Sequence, residues 1–104
     1  MRRAAKVDRN QAEIVEALRN AGASVYCTHA VGQGFPDLCV GYYGHTVLVE
    51  CKDGTKPPSA CKLTPAQESF FESFDGNAIV VFSPEDALDK LEKAVFAWNQ
   101  KPTL

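Results

Sequence analysis

No stretch of this 104-residue chain approaches the ~20 apolar residues that a membrane-spanning helix needs, so a helical membrane protein is not expected. No long apolar segment follows the charged N-terminus either, which argues against a secretory leader and predicts a soluble, cytoplasmic protein. The four cysteines (Cys27, Cys39, Cys51 and Cys61) include no C-x-x-C pair, and with His29 and His45 they fit no familiar zinc spacing. Three of them fall in predicted strands and read as reduced, buried small hydrophobes. Low-complexity runs, repeats and linkers are missing as well, so residues 1–104 read as one domain. A net charge of −2 gives no general attraction to nucleic acid.

The distribution of charge says more than its sum. Arg2, Arg3, Lys6 and Arg9 form a basic N-terminal arm over residues 1–9. Lys52, Lys56 and Lys62 surround a later loop, whereas Glu85, Asp86, Asp89 and Glu92 gather in the last helix. One end of the molecule is therefore expected to be basic.

Periodicity predicts an α/β domain. A first helix runs from Asn10 to Ala21 with Gln11, Ile14, Leu18 and Ala21 inward, and Gly22 stops it. Strands are expected over Val25–Thr28, Asp37–Gly41 and Thr46–Lys52, the last of them central. After a long loop, Thr64-Pro65-Ala66-Gln67 opens a helix that is expected to bury Phe70, Phe71 and Phe74. Ala78–Phe82 reads as an interior strand. A last helix begins near Ser83, with Leu88, Leu91, Val95 and Trp98 inward, and residues 99–104 read as a frayed tail. The predicted order is α-β-β-β-α-β-α, a mixed sheet flanked by helices.

Glu50-Cys51-Lys52 ends the apolar run Thr46-Val47-Leu48-Val49. Strand alternation puts Glu50 and Lys52 on one face about 7 Å apart, with Cys51 on the other. Upstream, Gly34-Phe35-Pro36-Asp37 places a second carboxylate at the start of another strand. A strand-turn-strand hairpin would bring Asp37 beside Glu50. Two carboxylates and the Cys51 carbonyl are hard oxygen ligands of the kind Mg²⁺ or Mn²⁺ takes, with water and a phosphate oxygen completing the shell. Such an ion offsets developing charge and acidifies a bound water. Lys52 would orient the nucleophile or stabilise the transition state.

These motifs resemble those of the PD-(D/E)xK nuclease superfamily, and within it the small stand-alone virus-type replication-repair nuclease (VRR-NUC) domains. Gly34-Phe35-Pro36-Asp37 is similar to the family's G-x-P-D, and Glu50-Cys51-Lys52 to its E-x-K, with cysteine where valine is usual. Leu63-Thr64-Pro65-Ala66-Gln67 is similar to its L-T-x-x-Q. The resemblance spans roughly Asn10 to Ala87. It implies a restriction-endonuclease-like core and a Mg²⁺- or Mn²⁺-dependent DNA endonuclease, acting as a homodimer on branched DNA in the manner of Holliday-junction resolvases. A non-catalytic DNA-binding module on the same fold is the alternative, and a zinc-stabilised interaction module a third reading.

Two residues have double readings. Thr64-x-x-Gln67 is a capping box by spacing, while the resemblance gives Gln67 a role beside Lys52. In the first helix the resemblance implies an acid. Glu13 reads as part of a capping box with Asn10, and Gln11 occupies the inward register, able to hold a metal-bound water without adding charge. Gly32, Gln33 and Gly34 are candidates for close backbone approach to DNA phosphate or for a plain turn, with Lys56 and Lys62 as further DNA contacts.

Overall fold

In a computed structural model that describes residues 9–97, the first helix is α1, Arg9–Asn20. Its inward row of Gln11, Ile14, Val15 and Leu18 is buried, whereas Ala21 lies past the helix end and is exposed. Arg9 and Asn10 are helical, so Arg9 does not belong to a preceding arm and Asn10 is not a cap. Arg2, Arg3, Lys6, Trp98 and the tail 99–104 lie outside the described residues.

The next elements are β1 (Ser24–Cys27), a 3-10 turn at His29–Val31, β2 (Leu38–Tyr42) and β3 (His45–Cys51). A second 3-10 turn at Pro58–Cys61 precedes α2 (Pro65–Ser73), and β4 (Ala78–Val81) and α3 (Pro84–Phe96) follow. The strands form one mixed sheet in the order β1-β2-β3-β4, with β1, β2 and β3 antiparallel and β4 parallel to β3. Tyr43 and Gly44, both at positive φ, turn β2 into β3. The chain is an α/β domain with a four-stranded mixed sheet flanked by helices.

One face of that sheet supplies the core. Val25, Val40, Val47, Val49 and Val81 pack with Ile14, Leu18, Leu91 and Val95 from α1 and α3. Burying each such aliphatic side chain stabilises the fold by about 1.5–3 kcal/mol before entropy is counted. Ser83 caps α3 by accepting from the Asp86 amide, and Pro84 sits in its first turn.

Three expectations need correction. β4 is an edge strand, not an interior one. Its apolar composition reflects helix packing, and α3 closes its outer side: Lys90 Nζ donates to the Val80 carbonyl (2.8 Å) and Asp86 accepts from the Phe82 amide (3.0 Å). α2 buries no residue, and Phe74 is 39 % exposed. Its phenylalanines stack on one another (Phe70–Phe74 centroids 4.8 Å) and against Phe35 rather than in the core. Cys27 is exposed because it stands at the end of edge strand β1, past the packed core; Cys39, Cys51 and Cys61 are half-buried, and no disulfide joins the four.

Candidate functional site

Glu50 leaves β3 on the face opposite Val47 and Val49, as strand alternation requires. It is 3 % exposed, the only carboxylate in the buried set of the described residues. The β2–β3 ladder pairs Leu38 with Val49, so the next pair along it is Asp37 and Glu50. The hairpin therefore joins the two motifs. Asp37 is fixed from two sides: its Oδ2 accepts from the Cys51 amide at 2.9 Å, and its Oδ1 lies 3.4 Å from His29 Nδ1. Backbone contacts hold the same loop, with the Thr28 amide donating to the Asp37 carbonyl (2.8 Å) and the Thr28 hydroxyl to that of Pro36 (2.7 Å). Cys51 presents its amide to Asp37, and the Cys51 carbonyl lies on the same edge of β3 by strand geometry.

Lys52 and Gln67 complete the group. Gln67 Nε2 donates to Glu50 Oε2 at 3.0 Å, and Lys52 Nζ donates to Gln67 Oε1 at 2.9 Å. The Lys52 ammonium stands 3.7 Å from Glu50 Oε2. Gln67 also makes the full capping box, accepting from the Thr64 amide at 2.9 Å while Thr64 Oγ1 accepts from the Gln67 amide. Its two readings are therefore one arrangement. The cap locks the side chain, and the locked amide bridges acid and lysine.

Electrostatics are strained at Glu50. Its carboxyl is pushed up to about 7, first by burial and then by repulsion from Asp37, with Lys52 drawing it partly back. Glu50 Oε1 is buried without a hydrogen-bond partner. A buried acceptor of this kind costs about 1–3 kcal/mol when left unsatisfied. Among the described residues no group of three or more His, Cys, Asp or Glu converges on a metal position. The group holds two carboxylates, Asp37 and Glu50, a set that suits an ion retaining several waters.

The remaining candidates are placed differently. Gln11 is 5 % exposed on the inner side of α1, and its Nε2 is the other buried, unpartnered side-chain polar atom among the described residues. Glu13 is exposed and lines a cleft with Arg9, Asp53 and Lys56 rather than facing Glu50. Gly34, at φ +82°, meets α2: a Cβ there would lie 2.3 Å from the Ala66 carbonyl oxygen. Its smallness serves the contact between the Pro36-Asp37 loop and the helix that carries Gln67. Gly32 and Gln33 remain on the exposed loop, with positive φ, and Lys62 is exposed beyond the second 3-10 turn.

Two contributors escape a reading of the motifs. Asn10 Nδ2 donates to the Lys52 carbonyl at 2.8 Å and pins the end of β3 to α1. His29 touches the site carboxylate Asp37. Neither has a local sequence signal, because each reaches its partner only through the tertiary fold. Comparison with protein-family models, with curated proteins and with solved structures returns no match.

Proposed function

We propose that the chain is a divalent-cation-dependent DNA endonuclease with a restriction-endonuclease-like core, of the virus-type replication-repair kind that its motifs resemble. The observation that carries this reading is Glu50, a buried carboxylate with one unpartnered oxygen that faces a second carboxylate. A buried acid beside a second carboxylate destabilises a fold unless positive charge or a proton offsets it, and a shared cation does so. The residues fit such an ion. Asp37, Glu50 and the Cys51 carbonyl would hold Mg²⁺ or Mn²⁺, which when bound offsets charge on the scissile phosphate and acidifies water.

The chain's own groups do the rest. The Cys51 amide and His29 orient Asp37, and Gln67 sets the Glu50 carboxylate against the Lys52 ammonium. Lys52, bound to Gln67 through only part of its donor capacity, has donors left for a phosphate oxygen or the attacking water. Branched DNA bound by a homodimer is the substrate class that goes with this reading, and Lys56, Lys62 and the Gly32–Gly34 loop are its proposed outer contacts. A non-catalytic DNA-binding module is the second reading, favoured by one observation: the buried polar residue on α1 is a neutral glutamine, Gln11, where an acid would complete the site.

The test is incubation of labelled four-way junction, splayed-arm and duplex DNA with Mg²⁺ or Mn²⁺. Cleavage by the native chain and none by Asp37→Ala or Lys52→Ala is expected. Cleavage that survives both substitutions would overturn the proposed site, and tight binding without cleavage of any substrate would favour the second reading. Light scattering that finds only monomer at micromolar concentration would contradict the dimer.

A further inference from the structure

The two carboxylates stand in a row that crosses the sheet, and the next row on that face begins with Tyr26. Register pairs Tyr26 with Cys39 and Cys39 with Leu48. Two residues further along, the Thr28 amide donates to the Asp37 carbonyl, and Asp37 stands opposite Glu50. Val25 and Val40, paired in the same ladder, are buried in the core with α1 and α3. Alternation therefore turns Tyr26 and Cys39 to the other face, the one from which Glu50 emerges. Tyr26 and Asp37 are diagonal neighbours across β1 and β2, about 7–8 Å apart, which an aromatic ring spans.

Tyr26 is 71 % exposed. Among the described residues its ring meets no other aromatic ring and its hydroxyl makes no hydrogen bond. A side chain this open to water adds little to the core, so packing does not account for it. Lys52 and Gln67 reach the carboxylates from β3 and α2, whereas the β1 side presents His29 and then the Tyr26 ring. A cation stands beside that ring at the sheet edge. Arg19 is exposed, donates to the Val25 carbonyl at 2.7 Å and forms no ion pair among the described residues. Most of its five N–H donors remain for a phosphate. An open aromatic face with an arginine beside it is the combination that binds single-stranded nucleic acid, bases stacking on the ring while the backbone follows the charge.

Resting on the nuclease reading, we propose that Tyr26 is a substrate-binding residue whose ring stacks on an unpaired base of the DNA next to the phosphate held at Asp37 and Glu50. A base inside a duplex is already stacked on both faces, so this ring selects DNA at a branch or a single-stranded arm.

The experiment uses splayed-arm DNA in which nucleotides around the branch point are replaced, one at a time, by an abasic site. The DNA is bound in Mg²⁺ by the Lys52→Ala chain, so that it stays uncut, and by the same chain carrying Tyr26→Ala, Tyr26→Thr or Tyr26→Phe. Tyr26→Ala should lower the affinity for intact splayed-arm DNA about tenfold, and Tyr26→Phe should keep it. Tyr26→Thr retains a strand-forming residue, so the same loss there, with an unchanged circular dichroism spectrum, separates contact from folding. At one position the abasic site should cost about tenfold with Tyr26 present and almost nothing with Tyr26→Ala, the coupling that direct contact produces. Undiminished binding by both Tyr26→Ala and Tyr26→Thr, or abasic penalties that add in full at every position, overturns the proposal and leaves the nuclease reading standing. Failure of the chain with Tyr26 intact to bind any DNA removes the nuclease reading itself, and this inference with it.

Discussion

Replacing Glu50 by glutamine should make the cation-free protein more stable while abolishing its activity. The substitution keeps the shape of the side chain and an oxygen to accept from Gln67 Nε2, and removes only the charge that burial and Asp37 oppose. A carboxyl carried from 4.5 to about 7 penalises the ionised fold by about 3 kcal/mol, at about 1.4 kcal/mol per pH unit. The sign follows from proton counting. Between these two values the folded state binds more protons than the unfolded chain, so stability is greatest below about 4.5 and is lost as the pH rises through about 7. The native chain should therefore fall behind Glu50→Gln by about 3 kcal/mol at pH 8 and by about 1 kcal/mol or less at pH 5. That is a large fraction of the roughly 5–15 kcal/mol that holds a typical domain together. Mg²⁺ at about a hundred times its dissociation constant should return about 2.7 kcal/mol to the native chain alone. Urea unfolding followed by circular dichroism, in chelator and then in Mg²⁺, measures all of this. Equal stabilities at pH 8 in chelator, or a gap that does not change with pH, would show that the Glu50 charge is not opposed in the fold.

Four further substitutions separate structure from chemistry. Gly34→Ala combines a positive φ with a clash against the Ala66 carbonyl, so thermal or urea unfolding should report a loss of about 2–4 kcal/mol. Thr64→Ala removes the cap hydroxyl, costing about 1 kcal/mol, but leaves Gln67 on Lys52 and Glu50; its cleavage rate should stay near native. Gln67→Ala should lose a similar stability and about tenfold or more in rate, because it breaks a bond to the ammonium as well as one to the carboxylate. Lys90→Met uncovers the Val80 carbonyl on the β4 edge, and light scattering should then show association beyond that of the native chain.

Much of the fold was legible because its signals are local. The alternation through Thr46–Lys52, the positive-φ turn at Tyr43-Gly44 and the Pro65 and Ser83 helix starts each act over a few residues. The hairpin register, once accepted, placed Asp37 beside Glu50 without further information. What escaped is set by tertiary packing. An apolar strand such as β4 reads as interior whether a strand or a helix covers it, and here α3 covers its edge. The phenylalanines of α2 have core periodicity, but the helix buries no residue, and the rings pack on one another and on Phe35. Cys27 follows the strand pattern yet stands where the core ends. Asn10 and His29 work through partners 42 and 8 residues away, and no spacing rule reaches the first of these. For Gln67 the sequence posed a choice that the geometry dissolves, since capping α2 and bridging Lys52 to Glu50 use the same amide.

The most direct test of the two-carboxylate site is a Mn²⁺ titration at pH 8, followed by electron paramagnetic resonance, on the native chain, Asp37→Ala and Glu50→Gln. Saturable binding by the native chain, lost in both variants, is the expected result. Undiminished Mn²⁺ binding in the two variants would contradict it.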